Sequence, residues 1–342
     1  TDNASIVDYG TEFGVSFDAM GNTQTHVFQR CVELRQGSDP LKFDKALRLE
    51  IGQGAVADKQ GSLYRANIMP EKFVRKEQFD DRILAAKGSA YHRWKVYNQR
   101  LNCDTSLVAH YTFERNADQP ERLFNVSAYP GDIPNGKLGG DSFNSPQWVT
   151  GRWPQTTALE FDRTKDQAVQ IPEHSALNIS GEITLAVWVK PNISDDLYWG
   201  GILLSCRNKS DVNGVNYTLA FRNTQDPTPS DKQKIRFIRR SLGENAGGHY
   251  ESEYVTLEKN RWHLVSVTHN NKEIRFFFDG VFVSSKECVY NFAPSPAELI
   301  IGNSLVGEGV SEKHHGLIGE VAIFNRAVSD SEIQEMYQAG KM

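Results

Sequence analysis

Between Trp262 and Lys286 the chain reads WHLVSVTHNNKEIRFFFDGVFVSSK, and this stretch restricts the fold more than any other. Ile274, Phe276 and Phe278 alternate with Arg275 and Phe277, the two-residue period of a strand. Asp279-Gly280 separates two β-rich runs, and a tight hairpin of the primed type needs φ > 0 there, which both residues tolerate. Asn270-Asn271 reads as a second tight turn, leading back to residues 262–267. The segment is a three-strand antiparallel meander. It contains no acid–base pair.

The same pattern fills residues 105–342. LVAHYTFE, ALEFD, AVQIP, ITLAVWVKP, GILLSC, NYTLAFR, KIRFIRR, YVTLEKN and LIGEVAIFNR are strand candidates between polar turns. Many strands and almost no helix predict a two-sheet antiparallel sandwich, with Trp188 and Trp262 in its core. One helix closes the chain: Ser329 caps it, Glu332 answers three residues on, Ile333 and Met336 face inward and Gly340 ends it. Residues 1–69 read as a small all-β unit of short strands, ASIVDYGTEFGVSF, TQTHVFQRCVELRQG and LRLEIGQGAVAD. Its glycines (Gly10, Gly14, Gly21, Gly37, Gly52, Gly54) suit turns and bulges, because no strand–loop–helix context supports a phosphate loop.

Residues 70–104 predict a helical connector. Pro70 can start a helix, and Phe79, Ile83, Ala86, Ala90, Trp94, Tyr97 and Leu101 recur at steps of three and four. Gly88 weakens its middle by about 1 kcal/mol relative to Ala. Eight Lys/Arg against four Asp/Glu in residues 71–101 make the segment basic, as a solvated helix face would be.

The 342-residue chain carries a formal charge of -5, which argues against a nucleic-acid partner. No apolar run reaches the length of a membrane span, and TDNASIVDYG lacks a signal pattern. The opening has no Met and runs straight into a strand pattern, so targeting information is expected upstream of residue 1. Cys31, Cys103, Cys206 and Cys288 form no Cys-x-x-Cys pair, which disfavours zinc and redox motifs. Their number fits two disulfides in an exported protein and equally fits four free thiols.

The order of pieces in 105–342 resembles the laminin-G-like, concanavalin A-like jelly roll. The resemblance rests on LVAHYTFE (107–114), ALEFD (158–162), ITLAVWVKP (183–191), NRWHLVSVTH (260–269), FFFDGVFV (276–283), LIIG (299–302) and GLIGEVAIFNRAVSDSEI (316–333). The expected fold is therefore all-β with a helical connector: a concanavalin A-like two-sheet jelly-roll sandwich plus a small N-terminal β unit. VDYGTEFGVSF (7–17), HVFQRCVEL (26–34) and LRLEIGQGAVAD (47–58) resemble the C-terminal part of a FecR-type sensor domain, whose earlier strands are absent here. That resemblance implies a periplasmic or cell-surface location, a membrane anchor only in a missing upstream segment, and a link to a sigma-factor system.

The jelly roll also hosts glucanases, whose chemistry requires paired acids. Retaining glycosidases place two carboxylates about 5 Å apart, and on a strand the pattern to seek is Glu-x-Asp-x-x-Glu, which is absent. Glu251-Ser252-Glu253 comes nearest and reads as a solvated edge strand. Gly-x-Ser-x-Gly is missing too. His314 and His315, in the polar loop GVSEKHHG, point apart and do not share a metal. No cofactor is expected, although a structural calcium on the rim is compatible with Glu114, Asp118, Asn125 and Asp132. The resemblance would place an Asp before the late-strand Glu, where this chain has Gly319. For ligand binding, aromatics beside polar groups point to Tyr198 and Trp199 in SDDLYWGG and to His249 and Tyr250 in the turn GENAGGHYES. The function expected is non-catalytic extracytoplasmic sensing of a carbohydrate or cell-surface protein. The alternatives are a glycan-degrading enzyme and a purely structural adhesion module.

Overall fold

The computed structural model describes residues 4–8, 12–18, 20–37, 45–67, 73, 90–193, 200–208, 214–222, 231–240, 247–289, 292–304 and 313–342. The chain divides into two compact units, Thr1–Gly88 and Ser89–Met342.

In the first unit β1 (Ala4–Asp8), β4 (Cys31–Gln36) and β5 (Ala46–Glu50) pair in the order β1-β4-β5. A second sheet joins β2 (Phe13–Phe17), β3 (Thr23–Val27), β6 (Gly54–Ala57) and β7 (Leu63–Arg65). Alternating side chains from both sheets, among them Val27, Val32, Leu34, Leu49 and Ala55, meet in one small core. After Phe17 the chain turns where Asp18 Oδ1 accepts the Met20 and Asn22 amides.

The second unit is an antiparallel sandwich. Its first sheet runs β18 (Gly247–Thr256), β17 (Lys232–Arg240), β16 (Val215–Arg222), β15 (Gly200–Arg207), β22 (Glu298–Ile301), β13 (Val169–Ile171), β10 (Gly136–Leu138), β9 (Arg122–Leu123). The second runs β11 (Gln147–Thr150), β12 (Thr157–Phe161), β23 (Gly316–Phe324), β14 (Ile183–Pro191), β19 (His263–His269), β20 (Glu273–Phe278), β21 (Val281–Glu287), and β8 (Leu107–Tyr111) also pairs with β23. The meander forms as the sequence demands. Phe278 pairs with Val281 and Phe277 with Phe282 across a turn in which Asp279 and Gly280 have φ of 50° and 76°. Leu185, Val187, Tyr217, Leu219, Phe237, Phe276 and Ile301 interlock between the sheets.

The two sheets differ on their outer faces. β14 and β19 are buried almost throughout, which is why ITLAVWV is apolar without a polar alternation. Their outward side chains, Trp188 and Leu264, join Trp262, Phe277 and Phe324 under two helices, α1 (Ala90–Leu101) and α2 (Asp330–Gly340). Trp188 and Trp262 are thus buried, as expected, but on the helix-covered side. Ser329 and Glu332 form the expected capping box, with Ile333 and Met336 buried. Gly340 does not end α2 in a left-handed cap; it is the last helical residue. A Cβ there would stand 2.5 Å from the Trp188 ring, so glycine is dictated by packing.

At the centre of this covered face lies Glu320, whose carboxylate accepts from Trp94 Nε1 (2.7 Å) and Asn98 Nδ2 (3.2 Å) of α1. It also meets His110 Nε2 at 3.0 Å and pairs with Arg152. The Arg152 guanidinium lies among the rings of Trp188, Trp153 and Trp94, at 4.3, 4.8 and 5.5 Å, and its Nη1 donates to the Gly340 carbonyl at 3.3 Å. A buried carboxylate is tolerable only when so thoroughly paired.

Candidate functional site

With the second sheet covered by helices, the outer face of the first sheet, towards its β18 edge, is the candidate surface for a ligand. Its middle is buried at Ile202, Ser205, Thr218, Ala220, Arg236 and Ile300, and its edge is half-buried or exposed at Lys234, Ile238, Arg240, His249, Arg222 and Tyr254. Its composition follows from alternation: in KIRFIRR, Ile235, Phe237 and Arg239 turn inward and are buried, while Lys234, Arg236, Ile238 and Arg240 turn outward. Antiparallel register extends each outward position across the neighbours. One row is Glu251–Arg236–Ala220–Ile202, the next His249–Ile238–Thr218–Ser205–Ile300–Gln170. A third sets Arg240 beside Val215 and Arg207, and a fourth sets Tyr254 beside Lys234 and Arg222.

Beside the buried Ser205, Thr218, Ala220 and Arg236 these rows set the half-buried Arg207, Lys234 and Arg240 and the exposed Arg222, with Glu298 opposite Arg207. Arg236 forks onto Glu251 at 3.1 and 3.0 Å, and Arg222 reaches the same carboxylate at 3.6 Å. Lys234 Nζ stands 4.9 Å over the Tyr254 ring. Ser205 and Thr218 hydroxyls bond each other at 2.8 Å on the buried floor, flanked by Ala220 and Ile300. His249 is held below the usual histidine range by partial loss of water and by the field of Arg240 and Arg222. Chemically the face can hold anionic or hydroxyl-bearing groups through charge-assisted hydrogen bonds.

The residues singled out from sequence are distributed unevenly. Tyr198 and Trp199 lie outside the described residues. His249 and Tyr250 sit on strand β18, not in a turn, because pairing with β17 already begins at Gly247–Arg240. Neighbours on a strand face opposite ways, so only His249 lies on the outer face. Tyr250 packs against the core, and its hydroxyl accepts a hydrogen bond from the Cys288 thiol at 3.1 Å. Glu251 lies on the edge strand, as expected, but engaged by arginines. Of the calcium candidates, Glu114, Asp118 and Asp132 are exposed, and Asn125 gives its carboxamide oxygen to the His110 amide at 2.8 Å. Among the described residues, no three His, Cys, Asp or Glu gather in a way that could hold a metal ion.

His314 belongs to no polar loop surface. It is buried edge-on to Phe161, with centroids 5.9 Å apart, and burial pushes its pKa down to about 3. His315 points away to Asn192 at 3.2 Å. Gly319 leaves no room for the Asp that the resemblance called for, since a Cβ there would lie 2.9 Å from Trp262. All four cysteines are free here, and burial lifts the Cys206 thiol to about 12. The sequence reading missed Arg222, Lys234, Arg236 and Arg240. The signal was present in KIRFIRR, where basic residues recur at alternate positions.

Residues 163–334 match the Laminin_G_3 family, described as the concanavalin A-like lectin/glucanases superfamily. No curated protein matches the sequence. Among solved structures, domain 4 of AbnA, a GH43 extracellular arabinanase from Geobacillus stearothermophilus, in complex with arabinotriose, is 14% identical with a TM-score of 0.47, covering 68% of this chain and 98% of that one. The binding domain of Paraclostridial Mosquitocidal Protein 1 is 14% identical with a TM-score of 0.49, covering 69% of this chain and 55% of that one. A heptameric SAP-like pentraxin from Limulus polyphemus is 12% identical with a TM-score of 0.36, covering 48% of this chain and 70% of that one. The family match spans half of the 342 residues and coincides with the antiparallel sandwich described above, so the chain belongs to the concanavalin A-like lectin/glucanases superfamily.

Proposed function

We propose that this protein is a non-catalytic binding protein whose laminin-G-like unit takes a carbohydrate on the outer face of its first sheet. The observation that carries this reading is the asymmetry of the sandwich. One outer face is covered by α1 and α2, while the other presents charged and hydrogen-bonding side chains in register towards its β18 edge. Sugar rings fit such a surface, apolar in patches and rich in polar tips.

The carboxylate geometry favours binding over hydrolysis. Among the described residues, Glu251 on β18 and Glu298 on β22 lie on this face, separated by the width of β17, β16 and β15. Four strand spacings of about 4.8 Å put them roughly 19 Å apart, whereas inverting and retaining pairs need about 5–9.5 Å. Glu251 is also committed to Arg236 and Arg222.

The resemblance of residues 7–58 to a FecR-type sensor domain supports a further step, in which binding occurs in the periplasm or at the cell surface and is passed inward to a sigma-factor system. Binding of the purified chain to a glycan array, with Arg222→Glu as control, tests the central claim. Retention of at least one glycan that the variant loses is the expected result. No retention of any glycan would sink it.

A further inference from the structure

We propose that the crevice between α1, α2 and residues 324–328 binds a small organic cation, an ammonium, amidinium or guanidinium group on a compact apolar body.

The site lies on the helix-covered side of the sandwich, away from β15–β18. A cavity of about 310 Å³ opens where the C-terminal end of α1 passes the first turns of α2. That volume stands at the lower end of the range in which proteins hold small molecules, about 300–1,000 Å³. Its floor is apolar: Phe324, Val328 and Met336 are buried, and Leu101 is half-buried beside them. Around the floor stand three carboxylates, Asp104, Glu332 and Glu335, against two guanidiniums, Arg100 and Arg326. The lining is acidic.

The two arginines are not equivalent. Arg326 is committed: its Nε donates to Ser106 Oγ at 2.7 Å, and its Nη atoms donate to Asp104 Oδ2 at 2.7 Å and to both Glu332 oxygens at 3.1 and 2.6 Å. Arg100 is held far less firmly. It meets Glu335 through Oε1, leaving Oε2 without a partner among the described residues, and the two side chains are 65% and 52% exposed. So wet a pair adds little to stability, and an incoming cation can take the place of Arg100.

The local field favours the same sign. Burial holds the Tyr97 hydroxyl, on the wall of the crevice, above the usual tyrosine range, with Glu335, Glu320 and Glu332 adding to the effect and Arg100 opposing it. The last turn of α1 contributes the negative end of a helix dipole, while the positive end of α2 is already met by the Ser329–Glu332 capping box. Arg100 itself shows how a cation sits here, its guanidinium 5.3 Å from the centre of the Tyr97 ring. A ligand cation would make charge-assisted hydrogen bonds to Glu335 and rest its apolar body on Leu101 and Met336. An anion would meet the carboxylates and find Arg326 fully bonded.

Cys103, an exposed thiol on the rim, reports on occupancy, and Cys31 in the first unit is the reference. The test follows iodoacetamide labelling of both thiols in the full chain by peptide mass, with calorimetric titration alongside. The probes are three compounds of one shape, benzamidine (cationic), benzamide (neutral) and benzoate (anionic), each at about 0.1–10 mM. Benzamidine should slow Cys103 labelling about threefold at twice its Kd and leave Cys31 unaffected, while benzamide and benzoate give no protection. Glu335→Gln should weaken benzamidine at least about tenfold, with its melting temperature nearly unchanged because the pair it breaks is exposed. Arg100→Gln should bind benzamidine more tightly, its competitor for Glu335 being gone. Equal protection by benzamide, or stronger protection by benzoate, would overturn the cationic class. Unaltered affinity in Glu335→Gln, or no gain in Arg100→Gln, would overturn the exchange at Glu335 on which the site rests. No protection by any of the three would overturn the proposal outright.

Discussion

Glu320 shows what one buried side chain does for this domain. Trp94, Asn98, His110 and Arg152 all converge on it, and although burial alone would raise its pKa, the Arg152 charge and these donors bring it down to about 2. The folded value therefore lies below that of a free glutamate. Its stabilisation is fully present above the unfolded value, near 4.5, and is lost as pH falls toward 2. At neutral pH the shift corresponds to about 3 kcal/mol. Glu320→Gln leaves the Arg152 charge buried without its counter-ion, a change that costs roughly 3–5 kcal/mol. Urea midpoints should show that deficit at pH 7 and a narrowing gap between variant and wild type once pH drops below about 4. A gap that stays constant with pH would contradict the ionised assignment. Glu320 was visible in the sequence only as the acid after Gly319. Its partners come from residues 94, 98, 110 and 152, and no local pattern announces a cluster assembled over more than two hundred positions.

Elements whose form is set by nearest neighbours were readable, and those set by pairing partners were not. The β20–β21 hairpin and the capped α2 announce themselves through Asp-Gly and Ser-x-x-Glu, short-range signals with one good conformation each. Gly280 holds φ of 76°, and a Cβ there would stand 2.7 Å from Tyr337 of α2. Gly280→Ala should accordingly destabilise the domain by about 1–3 kcal/mol through strain and collision together, measurable as a lower urea midpoint. An unchanged midpoint would mean that the turn can adopt another form. Strand β18 is the opposite case. Its opening Gly247-Gly248-His249 has the composition of a turn, and only the ladder to β17 makes it a strand. That one misassignment put Tyr250 on the surface when it faces the core. The same alternation, properly phased, marks the basic face of β17.

At the scale of the molecule, the division falls at Gly88/Ser89, so α1 is grouped with the sandwich. Tyr97 and Leu101 pack on the apolar cluster around Trp188 and Phe324, and Trp94 and Asn98 bind Glu320. A fragment of residues 89–342 should unfold cooperatively, whereas one starting at residue 105, where strand patterning begins, should expose that cluster. The shorter fragment is expected to bind a hydrophobic dye and melt at a lower temperature; equal melting of both would show that α1 contributes no stability. The helices also run side by side in opposite directions: Arg100 pairs with Glu335, while Arg152, stacked on Trp94, bonds Gly340. The start of α1 therefore lies near the end of α2, and the sandwich has its entry and exit at one corner. A domain so arranged can be cut and rejoined in a different order. Joining residue 342 to residue 89 through a short glycine-rich link, and opening the chain at Asn270-Asn271, should give a circular permutant with the same fold and the same ligand face.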